Sequence, residues 1–173
     1  MKRALLVGWS YGAYLGVHWA ARNADRTLGV VAVEGAFPWG WTDEAGHERV
    51  RKLFRRLRPV FPIARPLGLA ARMSAEQHAE INIEIHKLGA ALGPVIDRVT
   101  VPVRYVVATG ESLGGGKEEF EEMRASLDPV LARNPYLKVS AKVASNHGTI
   151  LRKDFRAIAE AVREVAALDC GGR

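Results

Sequence analysis

Residues 5–14 read LLVGWSYGAY: an apolar run of strand length that meets Gly8-Trp9-Ser10-Tyr11-Gly12 and continues into a helical pattern through Tyr14, Leu15, Val17, His18 and Trp19. The order is strand, sharp turn, helix, with strand 4–8 and helix 12–22. A serine at such a turn takes a strained backbone conformation, and crowding between strand and helix favours small residues two places before and after it. The start of the helix also turns the backbone N–H of Tyr11 toward any anion that forms beside Ser10. Gly-x-Ser-x-Gly in this context marks Ser10 as a candidate nucleophile.

Further along the chain, LGVVAV (28–33), VPVRYVVA (101–108) and LKVSAKVA (137–144) are apolar runs of strand length. Helical patterns separate them: KEEFEEMRASLDPVLARN, whose Phe120, Met123, Leu127 and Leu131 keep helical spacing through Pro129, and a final helix over 152–168. Valine-rich strands alternating with helices predict an α/β fold, a mostly parallel sheet of about four strands covered on both faces. Residues 38–98 interrupt the alternation. Val50, Leu53, Phe54, Leu57 and Phe61 form one apolar stripe with arginines opposite, and the capping box SAEQ (74–77) opens a second helix running to about Leu92. The expected organisation is a core of residues 1–37 and 99–173 with a helical lid insertion at 38–98.

The chain has 173 residues, 48% of them hydrophobic and 25% charged, which suits one ordered globular domain. Its single cysteine, Cys170, leaves no internal disulfide, and no two-histidine metal spacing occurs, so neither metal nor cofactor is expected. The N-terminal apolar run is interrupted by Ser10, His18 and glycines at 8, 12 and 16, short of the roughly 20 residues of a membrane span. A cytoplasmic protein is expected. Net charge is +6, concentrated in RVRKLFRRLR (49–58). Aromatic residues do not interleave with these cations as stacking platforms would, so the run reads as a solvated helix face with neither nucleic acid nor membrane as partner.

With these motifs the chain resembles the C-terminal part of an α/β-hydrolase, over nearly its whole length. In that family a histidine follows the last strand, and KVASNHGTILRKDFRAIAEAV looks like that loop and helix, which implies His147 as general base. His18 on the first helix and His47, His78 and His86 in the insertion read as packed or solvated. The resemblance implies a third residue, a carboxylate that orients the imidazole. Two compete: Glu111, directly after the strand that commonly carries the acid, although Ser112 and Leu113 stand where it would usually lie; and Glu34, after VVAV, the strand end used by haloalkane dehalogenases, which is slightly favoured. Trp9, Phe37 and Trp39, with Trp41, are candidates for an apolar substrate site, and Tyr11 for the oxyanion site.

TGESLGGGKEEF is not a phosphate loop: Gly110 lies one residue too far from Gly-Lys, Glu118 replaces the Mg²⁺-binding hydroxyl, and four glutamates open the helix. It reads instead as a loop at the rim of the site. Three residues precede the first strand, whereas the family builds further strands before it. The resemblance therefore implies a piece of a longer hydrolase, or an open apolar edge that pairs with another chain, such as a homodimer. The expected function is serine hydrolysis of a carboxylic ester or related acyl bond of a small molecule. The alternative is an inactive fragment or binding module on the same scaffold.

Overall fold

A computed structural model describes residues 3–68, 70–111 and 116–170. Ser112 and Leu113, and with them the centre of the glycine-rich loop, lie outside the described residues. The chain forms two compact units, Met1–Pro38 with Ala91–Arg173, and Trp39–Ala90.

The first unit holds a four-stranded sheet in the order β1-β2-β3-β4, formed by β1 (Ala4–Trp9), β2 (Thr27–Val33), β3 (Val103–Ala108) and β4 (Leu137–Val143). All three pairings are parallel, with Gly8 opposite Ala32, Val33 opposite Val106 and Val106 opposite Ala141. β2 and β3 are central and almost wholly buried, which is why they read as unbroken valine runs. Among the described residues β1 is an edge strand, with Val7 and Trp9 exposed.

Alternation along β2 divides its side chains between two layers. Val31 and Val33 pack with Val106, Ala108, Ile150, Ala161 and Val165, the last two from α9 (Phe155–Cys170). Toward the other layer, Val30 comes close to Gly16 of α1 (Tyr11–Ala20), a helix that packs on β1 and β2.

Two expected helices are broken in the structure. The 117–134 pattern divides into α6 (Lys117–Ala125) and α7 (Asp128–Arg133), because Pro129 lacks an N–H and sits in the first turn of a new helix. The C-terminal pattern divides at Asp154 into α8 (Ile150–Lys153) and α9. Strand β3 starts at Val103, two residues later than expected, since Pro102 has no N–H to add to the ladder.

The second unit is helical: α2 (Glu44–Leu57), α3 (Phe61–Ala64) and α4 (Ala75–Ala90). Asp43 caps α2 by accepting from the Gly46 N–H at 3.0 Å. The capping box of α4 forms in both directions, Gln77 N–H to Ser74 Oγ at 3.1 Å and Ser74 N–H to Gln77 Oε1 at 2.7 Å. Val50, Ala79 and Ile83 form the buried centre, with Trp41 and Phe54 packed on it. The short helix α5 (Gly93–Ile96) returns to the first unit, where it packs on α1.

Candidate active site

In the first unit the parallel strands end together, so the residues that follow β1, β2, β3 and β4 collect at one edge of the sheet. Ser10 lies between β1 and α1 with φ 53° and ψ −122°, and its N–H donates to the Val33 carbonyl at 3.0 Å. A non-glycine residue in this region stores strain of order 1–3 kcal/mol. Gly8 permits the turn: a Cβ there would lie 2.2 Å from the Gly12 carbonyl oxygen. The expectation for Gly12 is corrected, because a Cβ at Gly12 meets nothing within 4 Å; it is the backbone of Gly12, not the space around its α-carbon, that is crowded.

The other non-glycine residues with positive φ among the described residues are Glu34 (40°) and Ala36 (58°), both just beyond β2. Gly35 between them runs against the elbow, where an added Cβ would lie 2.4 Å from the Ser10 carbonyl oxygen. Two buried tyrosines hold this segment. Tyr14 Oη donates to the Phe37 carbonyl at 3.2 Å and Tyr105 Oη to the Ala36 carbonyl at 3.3 Å. Burial pushes the Tyr14 hydroxyl up to about 12, against the lowering effect of its bond to Phe37, and raises Tyr105 as well, so both remain protonated donors.

The Glu34 carboxylate is buried, with a side-chain exposure of 1%. Its Oε2 accepts from the Ala108 N–H at 2.7 Å and its Oε1 from the Arg124 guanidinium at 2.8 Å. The same nitrogen of Arg124 donates to the Gly110 carbonyl at 2.8 Å, so one side chain from α6 ties together the exits of β2 and β3. Glu111, by contrast, is exposed.

His147 follows β4 on a turn shaped by Asn146, whose Oδ1 accepts from the Thr149 N–H at 3.1 Å and the Thr149 hydroxyl at 2.9 Å. Burial, the largest influence, pushes the imidazole below its ordinary value; the Glu34 charge draws it up and the Arg124 charge pushes it down. His147 is therefore a neutral ring near pH 7, able to accept a proton, with the Glu34 carboxylate within electrostatic reach. Trp9 joins the elbow to this turn. Its Nε1–H donates to the His147 carbonyl at 3.2 Å, and the two rings lie 5.0 Å apart.

Of the remaining sequence candidates, Tyr11 opens α1 and Phe37 is 2% exposed within the first unit. Trp39 belongs to the second unit, where its ring lies 5.4 Å from Trp41 and 5.6 Å from His86. His86 stacks on Trp41 at 4.6 Å, His78 stacks on Phe61 at 4.6 Å, and His47 is buried, all of them packed in the helical unit. Burial lowers the pKa of His18 on α1, with Arg22 and Arg98 adding to the effect. Among the described residues no group of three or more His, Cys, Asp or Glu could hold a metal ion, and no helix is long and apolar enough to cross a membrane.

Sequence reasoning overlooked Arg124. A buried glutamate demands a cationic or N–H partner, but that partner lies 90 residues away in sequence on a helix whose register the sequence does not fix.

No family model matches this chain, and neither does any curated protein sequence. Solved structures do. E-2-(acetamidomethylene)succinate hydrolase is 20% identical with a TM-score of 0.53, the match covering 94% of this chain and 66% of that one. A lipase-esterase related protein from Clostridium acetobutylicum is 14% identical with a TM-score of 0.57, over 95% and 66% of the two chains. A peroxisomal α/β-hydrolase from Saccharomyces cerevisiae is 10% identical with a TM-score of 0.61, over 96% and 53%. The chain thus spans from about half to two thirds of the length of these proteins. Four parallel strands flanked by helices, with a serine elbow after the first, are the C-terminal portion of the α/β-hydrolase fold, and that is the fold of this chain.

Proposed function

We propose that this chain carries the catalytic residues of a serine hydrolase acting on a carboxylic ester or related acyl bond of a small molecule. The observation that supports it most is the strained Ser10 at the β1–α1 junction, φ 53°, a conformation costly for a residue with a side chain.

In this reading Ser10 Oγ attacks the acyl carbon while the neutral His147 takes its proton. The carbonyl oxygen becomes an oxyanion, stabilised by the Tyr11 N–H at the positive end of α1. Glu34 stabilises the imidazolium that forms, and His147 returns the proton to the leaving group as the tetrahedral intermediate collapses. Water then attacks the acyl-enzyme as His147 takes its proton, and His147 passes that proton to Ser10 Oγ as the acyl–oxygen bond breaks, releasing the acid and restoring the serine. Arg124 is a positioning residue: it holds the Glu34 carboxylate without touching the reacting atoms. Glu111, exposed to solvent, has no part.

A fluorophosphonate probe tests the reading, since it phosphonylates only an activated serine. Wild type is expected to label and Ser10→Ala not to. Equal labelling of both, or none of either, would leave the chain a non-catalytic scaffold of the same fold.

A further inference from the structure

The segment Arg49–Arg72 carries eight of the chain's 25 basic residues and none of its 19 acidic ones. Outside it acidic residues outnumber basic ones, so the whole positive net charge of the chain resides in these 24 residues. The sequence reading treats them as the solvated face of a helix. The structure adds an apolar component to that face.

Val50, Phe54, Leu57 and Phe61 follow one side of α2 into α3; Val50 and Phe61 are buried and Phe54 packs on the buried centre. Helical spacing puts Lys52 and Arg56 on the opposite side of α2, and Val60, Ile63 and Leu67 follow within eleven residues of Arg56, in the 3₁₀ turn after α2, in α3 and in the turn after α3. All five are exposed. Ile63 (67%) and Leu67 (66%) are the most exposed large hydrophobic residues among those described, and Val60 is 50% exposed. Pro59, Pro62 and Pro66 are exposed between them, as are Arg58 and Arg72. Some cations of the segment are already engaged: Arg51 with Glu44 and Glu80, Arg55 with Glu48, and Arg49 over the Trp41 ring. Lys52, Arg56 and Arg58 precede the apolar tip in the chain and Arg72 follows it, all four exposed.

We propose that this face docks on an anionic lipid surface, with Ile63 and Leu67 entering the boundary between headgroups and acyl chains and the surrounding cations meeting lipid phosphates. Each cation near such a surface contributes attraction, and apolar side chains that project from a basic helix add burial that plain electrostatic contact lacks. A nucleic acid fits less well. Phosphate-backbone binding leaves exposed Ile and Leu without a role, and the aromatic rings of the segment, Phe54 and Phe61, are turned inward rather than offered for stacking. The inference stands apart from the hydrolase reading, because none of these residues belongs to the candidate site.

Sedimentation of the full chain with vesicles tests it, comparing phosphatidylcholine alone with phosphatidylcholine mixed with phosphatidylglycerol at physiological salt. The chain is expected to pellet with the anionic vesicles only. Ile63→Ser with Leu67→Ser should weaken this by about tenfold or more, and Arg56→Gln or Arg58→Gln by about fivefold each. These residues are exposed, so unchanged circular dichroism and thermal unfolding are expected. Absence of vesicle binding, an undiminished double variant, or equal weakening by Phe155→Ser, a comparably exposed residue of the other unit, overturns the proposal. So does tighter binding to duplex DNA or RNA than to the anionic vesicles.

Discussion

The exits of β2 and β3, neighbouring parallel strands, each carry a glutamate, and the two are treated oppositely. Glu34 sits at φ 40°, buried, accepting from a backbone N–H and a guanidinium. Glu111 sits in solvent. A buried carboxylate without partners is costly, so the fold supplies two donors and keeps the backbone strained to hold it there. Strain, burial and complete partnering together mark a position constrained beyond packing, and sequence position alone does not reveal them.

The sharpest way to break this comparison is to neutralise each glutamate. Glu34→Gln is expected to lower the rate of Ser10 labelling by about 10³ to 10⁴, the scale of losing the charge that orients a triad histidine. Glu111→Gln should stay within about twofold of wild type, as surface changes usually do. Comparable losses from both would make Glu111 a partner in the chemistry and remove the distinction.

Arg124 provides the next test. Replacing it with Met leaves the Glu34 carboxylate buried with one donor, and breaking such a pair costs about 3–5 kcal/mol of stability, measurable in urea unfolding. The pH dependence separates support of Glu34 from mere scaffolding. In the proposed mechanism labelling rises as His147 loses its proton, so its acid limb is expected to follow the His147 pKa, which burial holds below the ordinary 6.5. Glu34 raises that pKa and Arg124 lowers it. The limb should therefore move to higher pH in Arg124→Met and to lower pH in Glu34→Gln. Shifts of the same sign in both variants would contradict the arrangement.

These contrasts also show what was legible in the sequence. The elbow was visible because a strand, a small-residue turn and a helix must follow one another within a few residues, a local constraint. The central strands were visible because a parallel sheet buried on both faces needs unbroken valine runs, as in β2. The capping box of α4 is local too. The burial of Glu34 against Arg124 was not legible, since it depends on tertiary packing that brings together residues 90 apart in sequence. Helix continuity across Pro129 and Asp154 was overestimated because the apolar spacing persists through both breaks while the backbone hydrogen bonds do not.

Gly35 links the two strained loops, and a smaller effect is expected there. Its added Cβ would meet the Ser10 carbonyl oxygen, part of the backbone, at 2.4 Å, so one of the two loops must shift. Gly35→Ala should cost about 1–3 kcal/mol, lowering the thermal midpoint by about 2–4 °C for each kcal/mol. An unchanged midpoint would mean that the β2 exit does not press on the elbow.

The smallest effect tests the other connection of the elbow, from Trp9 to the His147 turn. Trp9→Phe keeps an aromatic ring beside the imidazole and removes the Nε1–H that donates to the His147 carbonyl, together with part of the indole surface. A hydrogen bond of this kind contributes about 0.5–1.5 kcal/mol, and Trp9 is 40% exposed, so water replaces part of what is lost. About a threefold slower labelling of Ser10 is expected, from the low end of that range, with the acid limb of the pH profile unmoved because no charge has changed. Trp9→Ala should be worse by the contact between the rings as well. If Phe and Ala at this position reduce labelling equally, the ring contributes nothing and the hydrogen bond alone holds His147 toward the elbow; if Phe behaves as wild type, the contact between the rings does.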